Sequence, residues 1–219
     1  MKKIILLFSF CFPILLSAQL VADDFESYTL GSFDTQWDPA NWVGWFNNPS
    51  GTTVSDEQAN NGIHSIKVEA DDDLVALLGT IDAEYYEITY WQYVPMGFGA
   101  YTNLQHNYTS TAADWMFEIY VNQDGTGQFN TGGFGFLFTP IHGQWVEYKF
   151  NLNFITSEGV FSYNGAPLAN FAINTNAGDM NPGLNQVNAI NFFGGCLPQG
   201  NCTSSVSYTH LTLPTILLV

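Results

Sequence analysis

Two glutamates stand in the middle of strand-like runs, Glu118 in WMFEIYVN and Glu147 in WVEYKFNL. A pair of carboxylates facing one substrate can hydrolyse a glycosidic bond, at ~5–5.5 Å separation with retention or ~6.5–9.5 Å with inversion. Rings accompany them. Trp91, Tyr93, Tyr120 and Trp145 fall on the less apolar faces of their segments, with Gln105, Glu118 and Glu147 as hydrogen-bonding neighbours. Aromatic platforms edged by a few polar groups suit a ligand with one apolar face and many hydroxyls. The loop QWDPANWVGWF, with Trp37, Trp42 and Trp45, is an alternative platform. His64, His106 and His142 are isolated, so no histidine metal triad is expected. A base for β-elimination is available in His106, Tyr120 or Lys149, but no arginine exists to neutralise an acidic sugar beside it. Binding without catalysis is the expectation, with Glu118 and Glu147 as weak catalytic candidates.

These residues must be positioned by strands. Helical periodicity is nearly absent, and short alternating runs recur between Gly, Asn, Asp and Pro. Strands are expected at 63–70, 74–78, 84–94, 101–106, 115–122, 128–131, 145–152, 160–163, 168–174 and 187–193. Asp124-Gly125 and Asn164-Gly165 lie between such runs and favour the positive φ of tight hairpins. In 145–152, Val146, Tyr148, Phe150 and Leu152 form the apolar set. In 115–122 the expected apolar set is Trp115, Phe117, Ile119 and Val121, with Met116, Glu118 and Tyr120 opposite. Many strands without a repeat period indicate an all-β, two-sheet antiparallel sandwich of the jelly-roll kind.

Composition narrows the partners. The chain has 219 residues, a formal net charge of −16, four lysines and no arginine. Residues 1–19, MKKIILLFSFCFPILLSAQ, read as a signal peptide: a basic start, an apolar stretch and a small-residue exit. The apolar stretch is shorter than the ~20 residues that span a bilayer, so export rather than membrane insertion is expected. Cleavage removes Lys2 and Lys3 and takes the charge from −16 to −18. Two remaining lysines cannot release counterions from phosphates, which excludes nucleic acid and anionic membrane surfaces as partners. Aromatic residues at 16% against charged residues at 11% argue for a packed core. About 190 residues suit one large β domain, here residues 20–205. Cys196 and Cys202, six positions apart in GGCLPQGNC, are expected to form a disulfide outside the cell, with a two-cysteine metal site as the alternative. At residue 205 the Asn, Gly and aromatic texture stops. The tail 206–219, containing SYTHLTLPT, resembles a translated sequencing adapter, and the sandwich is expected to lack its native last strand.

Laid out in order, DDFESYTLG, SDEQANNGIHSIKVEA, YYEITYWQYVPMGFGAYTNLQH, WMFEIYVNQDGTG, WVEYKFNLNF and GVFSYNGAPL resemble the concanavalin A-like lectin/glucanase sandwich of secreted Bacteroidetes proteins. The segment 145–168 is also similar to the laminin-G pattern. This resemblance implies a polysaccharide or surface glycan as partner, further domains in the intact gene product, and a secreted or cell-surface location. It also implies a structural calcium held by acidic residues of the first strand, here Asp24 and Glu26. The Glu-x-Asp-x-x-Glu strand of the family's glucanases is missing around Glu118, where Ile119 and Tyr120 follow. A glycoside hydrolase or lyase of the same fold, or an adhesion domain contacting protein or matrix, are the alternatives.

Overall fold

The computed structural model describes residues 23–194 and 207–216. The leader and both cysteines of the expected disulfide, Cys196 and Cys202, lie outside the described residues. The strands are β1 (Gly31–Ser32), β2 (Trp42–Gly44), β3 (Thr53–Ser55), β4 (Ser65–Val68), β5 (Asp73–Ile81), β6 (Tyr85–Tyr93), β7 (Ala100–Tyr108), β8 (Ala113–Val121), β9 (Gly127–Thr131), β10 (Phe134–Phe138), β11 (Trp145–Asn153), β12 (Glu158–Tyr163), β13 (Ala166–Ala172), β14 (Val187–Phe193) and β15 (Ser207–Ile216). They form an eight-stranded sheet, β1-β3-β4-β15-β6-β11-β12-β13, and a seven-stranded sheet, β10-β9-β8-β7-β14-β5-β2. Every pairing is antiparallel.

Alternation explains why the two sheets face each other. On β11, Val146, Tyr148, Phe150 and Leu152 are buried while the residues between them are half-exposed. Their rings reach across the sandwich: Phe150 stacks on Phe117 at 4.6 Å between centroids, and Tyr90 meets Phe192 edge-on at 5.2 Å. Each such ring, fully buried, contributes ~1.5–3 kcal/mol through removal of apolar surface from water.

Turn chemistry sets the register. Asn164 and Gly165, with φ of 50° and 77°, close the two-residue β12–β13 turn as the Asn-Gly pair predicts. Gly132 and Gly133, with φ of 56° and 73°, do the same between β9 and β10. That Gly-Gly pair is the signal in the sequence for β10, a strand not expected there.

The expected apolar face of β8 holds at Phe117, Ile119 and Val121 and is reversed only at its start. Trp115 is 41% exposed, whereas Met116 and Phe117 are both buried. The cause is a bulge in β8 itself: Leu104 pairs with Phe117 and Gln105 with Trp115, which leaves Met116 as an extra residue, and a second shift on β7 follows between Gln105 and Asn107. An extra residue in one strand flips the side chains beyond it to the other face.

The segment expected to stand outside the sandwich lies within it. Ser207–Ile216 forms β15 between β4 and β6, pairing Ser207–Thr209 with Val68–Ile66 and running along β6 from Tyr93 to Tyr86. Leu211 is buried in the core, and its carbonyl accepts the N–H of Asp23 at 3.2 Å. Without this strand, β4 and β6 would present unpaired edges in mid-sheet. Pro214 falls at the register shift between Thr212 and Thr215, beyond the stretch paired to β4, where a missing N–H interrupts least.

Near the chain start, Trp42 is 1% exposed and its indole N–H donates to the Asp23 carboxylate at 3.0 Å. Tyr28 donates to the same oxygen at 2.8 Å. Burial raises the Asp23 pKa, and these donors oppose that rise. Trp42→Phe keeps an aromatic ring but removes the donor and part of the buried volume, and is expected to cost about 1–3 kcal/mol in denaturant unfolding. An unchanged midpoint would show the bond to be dispensable.

Candidate functional site

The residues expected to bind together divide between the two sheets. Trp91 pairs with Glu147 and Tyr93 with Trp145 across β6 and β11, on the outer face of the eight-stranded sheet. Gln105, Glu118 and Tyr120 belong to β7 and β8 of the seven-stranded sheet. Glu118 and Glu147 therefore do not face one substrate, because the whole thickness of the core separates their sheets. Glu147 instead meets the Lys149 ammonium at 3.6 Å, which also reaches Glu87 at 3.3 Å.

The outer face of the seven-stranded sheet carries a polar row that crosses four strands. Asp73 on β5 accepts from the Asn191 amide on β14 at 2.6 Å, and Asn191 accepts from Asn103 on β7 at 2.8 Å. Asn103 in turn accepts from Gln105 at 2.8 Å. Glu118 on β8 continues the row, its Oε1 accepting from Tyr101 at 2.8 Å and Tyr120 at 2.9 Å. Register places these groups side by side: Asn191 lies opposite Asn103, and Asn103 opposite Glu118.

Burial shapes the electrostatics of this row. Desolvation raises the Asp73 pKa to about 6, partly opposed by the Asn191 hydrogen bond. It also pushes the Tyr101 and Tyr120 hydroxyls far up, with the Glu118 charge adding to the rise, so both phenols remain protonated donors.

Rings wall the row. Trp45, Trp115, Tyr101 and Phe193 join Asp73, Asn103 and Asn191 around a cavity of about 170 Å³. The Trp45 and Trp115 rings are parallel, 2° apart in plane and 6.5 Å between centroids. Trp45 is presented by a tight turn that requires glycine at position 44. A Cβ on Gly44 would stand 1.9 Å from the Asn48 carbonyl oxygen. Phe46 and Asn47 take φ of 51° and 63°, and the Phe46 N–H donates to the Tyr108 hydroxyl at 2.9 Å. A strained turn held by specific hydrogen bonds is a recurrent feature of binding sites.

Several expectations are thereby corrected. Trp42 is core, and Trp37 packs edge-on against Phe33 at 5.6 Å, so only Trp45 of the three loop tryptophans reaches the cavity. Gln105 is 0% exposed. Its amide donates to Asn103 at the end of the row rather than meeting a hydroxyl, and its Oε1 has no partner among the described residues. Asp73, Asn103, Asn191 and Trp115 were not anticipated. Their signal is polar residues at alternate positions within apolar strands, as in TNLQHN and NAINFF.

The acidic residues near the chain start, expected to hold calcium, accept hydrogen bonds from the chain. Glu26 Oε1 accepts the N–H groups of Ile63 at 2.9 Å and His64 at 2.8 Å, and Asp24 accepts the N–H of Glu26 at 3.1 Å. Asp23 is likewise engaged by Phe25, Tyr28 and Trp42. Calcium takes 6–8 oxygen ligands. Among the described residues no three acidic, histidine or cysteine side chains gather to provide them.

No family model and no curated relative matches the chain. Solved structures do resemble it in fold. A sialidase superposes with a TM-score of 0.57 at 10% identity over 91% of this chain, although the chain spans only 18% of that protein. The catalytic domain of the glycoside hydrolase family 131 protein from Coprinopsis cinerea gives 0.55 at 11% identity, covering 90% of this chain and 94% of that one. A family 131 β-glucanase catalytic domain from Podospora anserina gives 0.54 at 11% identity, covering 90% and 95%. The fold is an all-β, two-sheet antiparallel sandwich of the concanavalin A-like type, as the sequence resemblance implies.

Proposed function

We propose that the protein is an exported glycan-binding module whose ligand lies across the outer face of the seven-stranded sheet. The observation that carries this reading is the cavity itself, lined by the linked Asp73, Asn191 and Asn103 and by Trp45 and Trp115, whose rings lie parallel beside it. Amides and carboxylates meet hydroxyls, and indole faces meet the apolar side of a sugar ring. At about 170 Å³ the cavity is below the ~300 Å³ that encloses a drug-sized ligand, which suits one sugar unit of a longer chain. Kinship of fold with a sialidase and a β-glucanase domain supports a carbohydrate-related role, and the signal-like leader supports its exercise outside the cell.

Binding is favoured over hydrolysis by the placement of the acids. Asp73 and Glu118 share this face, but β14 and β7 lie between their strands. Three steps of ~4.8 Å put their backbones about 14 Å apart, wide for a compact catalytic pair.

Pull-down on insoluble polysaccharides, followed by calorimetry with soluble fragments, tests the reading. Trp45→Ala and Trp115→Ala are each expected to weaken binding about tenfold, while Trp145→Ala leaves it unchanged. The reverse pattern would move the ligand to the ring cluster of the eight-stranded sheet. Release of reducing ends that vanishes in Glu118→Gln would establish hydrolysis instead, and retention on no glycan would favour an adhesion role.

A further inference from the structure

We infer that the glycan taken by this face is uncharged, and that polymers bearing uronate, sialate or sulfate groups are rejected. The inference rests on the reading of this face as the glycan site and concerns the chemistry admitted there. Its basis is where the positive charge of the molecule resides.

The sequence contains no arginine, and two of its four lysines are at positions 2 and 3, outside the described residues. The other two belong to the opposite sheet, Lys67 on β4 and Lys149 on β11. Both are engaged there. Lys67 meets Glu57 at 3.1 Å and Glu69 at 3.2 Å, and Lys149 meets Glu87 and Glu147. Histidine supplies no substitute at the cavity. His106 is wholly buried, its ring nitrogens against the carbonyls of Thr175 at 2.9 Å and Gln186 at 3.2 Å. His142 faces the Phe98 carbonyl at 3.1 Å, and none of the four histidines, His64 and His210 included, is among the described residues that line the cavity.

The charged groups that do belong to the binding face are Asp73 and Glu118. Recognition of a carboxylate or sulfate calls for Arg or Lys donors, with the guanidinium fork preferred. An anionic sugar brought here would meet like charge in a partly desolvated site, where repulsion is only weakly screened. The net charge of −16 opposes its approach from farther away as well. A neutral sugar meets none of this. Its hydroxyls donate to the Asp73 carboxylate, which the buried amides of Asn191 and Asn103 hold in place, and its ring covers Trp45 or Trp115.

The test is calorimetry of the full chain against matched soluble polymers, neutral β-glucan and mannan on one side, alginate and polygalacturonate on the other. A chelator is present throughout, so that no divalent cation bridges an acidic polymer to an acidic protein. The expected result is binding of at least one neutral polymer that is lost in Trp115→Ala, with the uronates about a hundredfold weaker or undetectable. Uronate binding of equal or greater strength that is lost in Trp115→Ala would overturn the inference while leaving the glycan site in place. Uronate binding that survives Trp115→Ala would leave this face neutral-selective only if a neutral polymer still required Trp115. Should no polymer of either class require Trp115, the site itself would be refuted and the inference with it.

Discussion

A chain that stops at residue 203 is expected to lose cooperative folding, or to fold only as an associated species. Removing β15 takes the strand between β4 and β6 out of the eight-stranded sheet and leaves two unpaired edges facing each other. Ile66 and Val68 on β4 and Tyr90 on β6, all fully buried, lose the covering that Leu211 helps to provide. A domain holds only ~5–15 kcal/mol in total, so loss of a central strand removes a large part of it. Exposed edges also template pairing between copies. Thermal melting by circular dichroism and size-exclusion chromatography report the outcome. Leu211→Ala in the full chain is expected to cost about 2–5 kcal/mol, an intermediate loss that keeps the strand. If the shortened chain melts as a monomer at the same temperature as the full one, β15 is not needed by the fold.

Asn191→Leu is the second substitution with a large expected effect. The Asn191 side chain donates to Asp73 at 2.6 Å and to the Leu74 carbonyl at 3.1 Å, and accepts from Asn103 at 2.8 Å. Leucine leaves a desolvated carboxyl and a buried amide short of partners, at about 3–5 kcal/mol for the linked groups.

The Asp73 pKa makes a pH dependence part of the same test. Because the folded value is raised to about 6, the group's stabilising contribution is complete below about pH 4 and lost as pH rises through 6. The difference between the parent and Asp73→Asn isolates it from the other carboxylates. Relative to that variant, the parent should gain about 1 kcal/mol between pH 7 and pH 5. Asp73→Asn should itself be the more stable protein at pH 7. A difference that does not change with pH would show that Asp73 is not held in a desolvated site.

Much of the sandwich was legible because strand alternation is a local property. Val146, Tyr148, Phe150 and Leu152 could be assigned to the core from their spacing, and Asn164-Gly165 to a hairpin from its backbone freedom. Trp115 could not be placed, since its face depends on a bulge at Met116 that shows only in the pairing of β8 with β7. Short edge elements such as β1 and β2 carry too few residues for a period to show. Segment 206–219 differs in texture from the rest, yet Ser207–Ile216 has the length and alternation that a slot between two strands accepts.

The sequence by itself determined the all-β class, the negative charge and the scarcity of cations, since these follow from composition and from the two-residue period of each strand. Only the tertiary structure decided which residues share a face. Asp73, Asn103, Trp115 and Asn191 come from four separate segments and meet because β5, β14, β7 and β8 are neighbours in one sheet. Strand order is set by pairing between distant segments, which no local pattern encodes. For the same reason Glu118 and Glu147, alike in sequence context, stand on opposite sides of the core.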